Sequence, residues 1–131
     1  MINNNFNFEL VTNVLSGADS INNVYKFLQE KDYKKVGLIL DKKLYENSRY
    51  IKFFLTQFKK KKNLKKIYYF SGIEEPTYQH LDFVTNQFKK KGYHKFDCFV
   101  AIGGGSAIDF AKGVATLLKN SGSGLKYRGF P

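Results

Sequence analysis

Residues 97–112 read DCFVAIGGGSAIDFAK. The run Phe99-Val100-Ala101-Ile102 is apolar on successive residues, which predicts a strand covered on both faces, as strands of parallel sheets are. Three glycines and a serine follow, and then a helix is predicted over Ser106–Lys119. Glycine lacks a Cβ, so backbone there can approach a ligand closely. A helix that starts next offers unpaired N–H groups and the positive end of its dipole. Together these make a cradle for phosphate. Ser106 adds a hydroxyl donor, and Ala107 and Ala111 are small enough for close helix–sheet packing. A competing reading needs no ligand: a tight strand-to-helix turn with Ser106 as N-cap and Asp109 closing a capping box. Two standard motifs fail here. The dinucleotide fingerprint requires glycine where Ile108 stands, and the P-loop ends in Gly-Lys-Ser/Thr.

Outward from this stretch the chain alternates. Phe6–Leu15 is a plausible opening strand, with Gly17 and Asp19 as a turn and helix start. Helices are predicted over Ser20–Lys31, Leu44–Lys61 and Thr77–Lys90, from apolar residues at helical spacing. In the second, Leu44, Ile51, Phe54, Leu55 and Phe58 share one face; the third opens at Pro76 and closes at Gly92. Short apolar runs at Val36–Leu40, Ile67–Phe70 and Phe96–Ile102 read as strands. Strands alternating with helices imply right-handed crossovers and a mainly parallel sheet with helices on both faces, an α/β Rossmann-like fold. Ligands of such sheets bind beyond the carboxyl ends of the strands, which points to the residues after Leu40, Phe70 and Ile102.

The 131 residues are long enough for one domain with its own core. The single cysteine, Cys98, excludes an internal disulfide; it reads as a buried, inert thiol and agrees with a reducing cytoplasm. No stretch approaches the ~20 apolar residues of a membrane span, and the N-terminus lacks the pattern of a signal peptide. A cytoplasmic protein with no membrane partner is expected. The charge is the outlier, with 22 Lys and Arg against 11 Asp and Glu, net +11.

Beyond the glycines the residues carry a resemblance. AIGGGSAIDFAK is similar to the N-terminal signature of the iron-containing (group III) alcohol dehydrogenases, whose superfamily includes the dehydroquinate synthases. VGLILDKKL (36–44) resembles that family's second strand and its acidic end, EEPT (74–77) its loop before Pro-Thr, and ATLLKN with YRG the stretch leading to the next cofactor segment. The likeness spans nearly the whole chain but only the N-terminal part of the family's architecture. It implies that residues 1–131 form the dinucleotide-binding domain of a two-domain enzyme. The Thr-rich cofactor segment and the helical domain, with its metal-binding Asp and three His, lie outside the sequence. It further implies NAD or NADP as cofactor, with Gly103, Gly104, Gly105 and Ser106 on the pyrophosphate. Asp41 would lie near the adenosine ribose, Glu75, Pro76 and Thr77 near the adenine, and Asp109 toward the nicotinamide. Iron or zinc belongs to the absent domain, so no metal and no catalytic residue is expected in this chain.

The substrate implied is an alcohol, aldehyde or sugar-like molecule in the full-length enzyme, and a homodimer is left open. Asp41 leans toward NAD, because a carboxylate there accepts from both ribose hydroxyls and repels a 2′-phosphate. Lys42 and Lys43 pull the other way, and without the resemblance Asp41 is equally well a helix N-cap before Leu44. His80 and His94 lack a second ligand at metal spacing and read as surface residues. The runs FKKKKNLKK (58–66) and FKKKGYHK (88–95) read first as solvated helix ends, with at least one of Tyr68 and Tyr69 in the core. Two alternatives stand behind the dehydrogenase reading: a free-standing nucleotide- or phosphate-binding module, and, less favoured, a basic nucleic-acid binder.

Overall fold

The structure, a computed structural model, describes residues 12–72 and 76–128. A 3₁₀ turn (Ser20–Asn22) leads into helix α1 (Asn23–Glu30). Then come strand β1 (Val36–Asp41), helices α2 (Lys42–Asn47) and α3 (Arg49–Lys59), and β2 (Leu64–Phe70). Helix α4 (Tyr78–Lys90), β3 (Cys98–Ile102) and α5 (Gly105–Lys119) complete the layers. The strands are parallel in the order β2-β1-β3. This is a Rossmann-like α/β arrangement, as the alternation predicted.

β1 is central because it alone can be apolar throughout. Val36, Leu38, Ile39 and Leu40 are fully buried, and period-2 alternation divides them between two cores. Val36, Leu38 and Leu40 pack with Leu28 of α1 and Ile51, Phe54, Leu55 and Phe58 of α3. Ile39 packs on the other face with Phe70, Val84, Phe88, Phe110 and Val114. Burying each such side chain stabilises the fold by roughly 1.5–3 kcal/mol. The chain leaves β1 toward β2 under α3, then crosses back over β1 under α4 to reach β3. The two crossovers run in opposite directions, so constant handedness puts their helices on opposite faces.

Two expectations change and one is refined. The helix predicted over 44–61 is two helices, because Ser48 is extended (φ −111°, ψ 112°) and its Oγ accepts from Ile51 N at 3.2 Å. That cap starts α3 afresh and turns Leu44 off the shared apolar face, leaving it exposed. β3 is covered on both faces as expected, with Phe99 and Ala101 against one core and Cys98, Val100 and Ile102 against the other, but it stays only half-buried because it is an edge strand among the described residues. Of the opening strand expected over Phe6–Leu15, residues 12–15 are not strand, and residues 1–11 lie outside the described residues.

Candidate functional site

The order β2-β1-β3 places the reversal of chain direction between β1 and β3, where Rossmann-like sheets open a crevice beyond their carboxyl ends. Leu40 pairs with Ile102 in register, so the residues leaving those strands, Asp41 and Gly103, meet at that crevice. Their approach is close. A Cβ on Gly103 would lie 2.9 Å from Asp41 Cβ and 2.7 Å from Ala107 Cβ. Both neighbours are fixed to backbone, so Gly103 is required by packing alone.

Gly104 and Gly105 are different. Both are exposed, and a Cβ on either would meet nothing within 4 Å. Nothing in the fold demands their bareness; it leaves open room over the turn. Gly104 is the N-cap of α5, and its carbonyl accepts from Ile108 N at 3.1 Å. No side chain caps this helix. The capping box expected of Ser106 and Asp109 is therefore absent. The helix begins at Gly105, one residue earlier than predicted, which carries Ser106 past the N-cap and into the first turn. The Asp109 carboxylate instead pairs with Lys112 Nζ at 3.1 Å on an exposed flank, one turn along the helix. The backbone N–H groups of the first turn thus remain available to an anion at the crevice.

Asp41 carries a task within the fold. Its Oδ1 accepts from Leu44 N at 2.9 Å and caps α2. The N-cap reading of Asp41 is thereby borne out, with the second carboxylate oxygen left for another partner. Thr77 caps α4 in the same manner, accepting from His80 N at 3.1 Å, and Pro76 precedes it. Glu75 lies outside the described residues. The first turn of α4 sits beside the second turn of α5, because the His80 and Phe110 rings are 5.0 Å apart. Both helices therefore present their N-termini at the edge where the strands end.

His80 is not a surface histidine. It is half-buried, stacks against Phe70, packs at a tilt against Phe110, and shares a 3.2 Å hydrogen bond with the Tyr68 hydroxyl, whose pKa burial pushes up. The sequence pattern missed this because the aromatic cage comes from β2 and α5, 10 and 30 residues away. Tyr68 joins the core, as at least one of the tyrosine pair had to; Tyr69 points the other way and is exposed. Tyr69 and Tyr45, with rings 5.2 Å apart, line an open cleft beyond the ends of β1 and β2, together with Lys42, Glu46 and Ser71. Period-2 alternation along β2 was the one signal that would have set Tyr69 apart from Tyr68.

Cys98 is half-buried, and desolvation, aided by the neighbouring Asp97, pushes its thiol up to about 11. It is a packing residue, not a nucleophile. Among the described residues no three His, Cys, Asp or Glu side chains cluster as a metal site would need, and no helix is long and apolar enough to cross a membrane.

A parallel α/β sheet with a bare glycine turn leading into an uncapped helix at its switch point defines a Rossmann-like domain. The family model for iron-containing alcohol dehydrogenases matches residues 11–129, and the chain belongs to that family. It is thus an alcohol dehydrogenase-type domain. No curated protein and no solved structure matches it significantly.

Proposed function

We propose that this chain is the cofactor-binding half of a metal-dependent alcohol dehydrogenase, and that Gly103–Ser106 hold the pyrophosphate of NAD or NADP. The observation that carries the reading is the contrast within the triplet: Gly103 is demanded by packing, while Gly104 and Gly105 are bare without any packing cause. A dinucleotide explains that bareness, because the backbone N–H groups of Gly105 and Ser106 can reach its phosphates only if no side chain stands above them. The Ser106 hydroxyl adds a donor. The free oxygen of Asp41 would accept from the adenosine ribose, and Tyr45 and Tyr69 offer faces to the adenine. Pro76 and Thr77 border the same edge; Glu75 would act with them at the adenine, and Asp109 would lie toward the nicotinamide. A bound nicotinamide would supply hydride chemistry, taking a hydride from an alcohol carbon or giving one to an aldehyde carbon, and the residues of this crevice would orient the ring. The described residues do not fit a resident iron or zinc, since no three His, Cys, Asp or Glu side chains converge among them.

Titration of NADH and NADPH by their own fluorescence tests the reading. Saturable binding that Asp41→Asn weakens for NADH more than for NADPH is expected, since Asn keeps the α2 cap and loses only the charge. No binding of either dinucleotide to the folded chain would overturn it.

A further inference from the structure

The amino edge of the sheet, opposite the glycine turn, collects lysines from every layer. The runs at 59–62 and 89–91 close α3 and α4, Lys34 and Lys35 precede β1, Lys65 starts β2 and Lys95 precedes β3. The two runs lie some 30 residues apart in sequence. Because every strand is parallel, all three strands begin and helices α1, α3, α4 and α5 end at this one edge. All eleven lysines except the half-buried Lys89 are exposed. Among the described residues only Lys34 has an ion-pair partner, Asp32. At the opposite edge, by contrast, Lys42 and Lys112 are matched by Glu46 and Asp109.

Helix capping does not account for this excess. Each helix C-terminus carries about half a negative charge, so the four that end here absorb roughly two positive charges. The acids at the edge are Glu30, Asp32 and Asp97, and Asp97 already accepts from the backbone N–H groups of Lys34 and Lys35 at 2.7 and 2.8 Å. About six positive charges remain unanswered.

We infer that this edge is a binding surface for the phosphate backbone of a nucleic acid, separate from the crevice at the other end of the sheet. An anionic membrane fits less well. The helices meet the edge end-on, whereas an interfacial helix lies flat with its apolar face down. Exposed Phe27 lies 6.0 Å from Lys31 Nζ and 6.4 Å from the Tyr33 ring, which sets a ring for base stacking beside the cations.

The test is fluorescence anisotropy of a labelled 20-nucleotide single-stranded RNA with the full chain across a salt series. With four to six phosphates neutralised, log affinity should fall with log salt at a slope of about −3 to −4, roughly a hundredfold between 50 and 200 mM. Replacing Lys59, Lys60, Lys90 and Lys91 by Gln should flatten the slope by about 3. Each pair alone should remove about half of that, since both runs face one strand. A control with Lys26, Lys52, Lys112 and Lys126 replaced by Gln carries the same charge change elsewhere and should bind within about threefold of the parent, the weak effect expected of distant screened charges. Circular dichroism confirms that each variant is folded. A slope shallower than about −1 in the parent, equal loss in the control, or binding to phosphatidylserine vesicles without binding to RNA would each overturn the inference.

Discussion

Adding one methyl group at two adjacent glycines should separate structure from ligand binding. In Gly103→Ala the new Cβ arrives 2.7 Å from Ala107 Cβ and 2.9 Å from Asp41 Cβ. Neither neighbour can rotate away, so the β3–α5 turn must move off the end of β1. Overpacking of this kind costs about 1–3 kcal/mol. For a domain of this size each kcal/mol shifts Tm by roughly 3–5 °C, so a fall of about 3–15 °C is expected. Gly104→Ala meets nothing within 4 Å, and its φ of −79° and ψ of −175° suit any residue. Its Tm should hold within a few degrees, as the roughly 0.4–1 kcal/mol of freedom lost by the unfolded chain offsets the poorer N-cap that alanine makes. Yet its methyl group occupies the space proposed for pyrophosphate, and NADH affinity should fall at least about tenfold, or 1.4 kcal/mol. Calorimetric melting and NADH fluorescence titration read the two effects separately. A Gly104→Ala protein that binds NADH like the parent would refute the cradle. A Gly103→Ala protein that melts with the parent would refute the packing.

Phe110→Ala should cost about 3–5 kcal/mol in urea unfolding, because its ring lies 4.8 Å from Phe70 and 5.0 Å from His80 and is fully buried. A loss below about 1 kcal/mol would place the aromatic cage outside the core. Cys98, with its thiol near 11, should react with iodoacetamide far more slowly at pH 8 than a free thiol, and recover in denaturant; equal rates in both states would refute its burial. The Lys35 and Lys34 N–H groups hold the Asp97 carboxyl below its ordinary value of 3.8. The stability it contributes is therefore complete above that value and is lost as pH falls through the lower folded one. Asp97→Asn should destabilise the protein at neutral pH and flatten the acid limb of its stability curve. Urea melts from about pH 2 to 6 check this, and parallel curves for variant and parent would contradict it.

Much of the fold was legible because two periodicities dominate the sequence. Val36–Leu40 is apolar throughout, which only a doubly covered strand tolerates, and it proved to be the central one. Pro76 and Thr77 before an apolar-periodic run marked the start of α4, and the Thr77 cap is there. The glycine turn between β3 and α5 was readable because strand, glycines and helix are adjacent in the chain. Where the reading failed, the deciding partner was remote or an alternative was nearly degenerate. The split at Ser48 turned on a one-residue cap within a helical pattern. The start of α5 moved by one residue and took the capping box with it. His80 looked like a surface residue because nothing near it in sequence reveals the rings of Phe70 and Phe110.

The sequence alone therefore determined most of the strands and helices, that the sheet is parallel, and that a glycine turn into a helix follows β3, because each depends on residues within one element of one another. Tertiary structure decided the rest. The order β2-β1-β3 brings Asp41 beside Gly103 and shows that only the first of the three glycines is required by packing. It also gathers at one edge lysine runs that the sequence keeps apart. These are contacts and fields between distant segments, and only strand order and handedness set them.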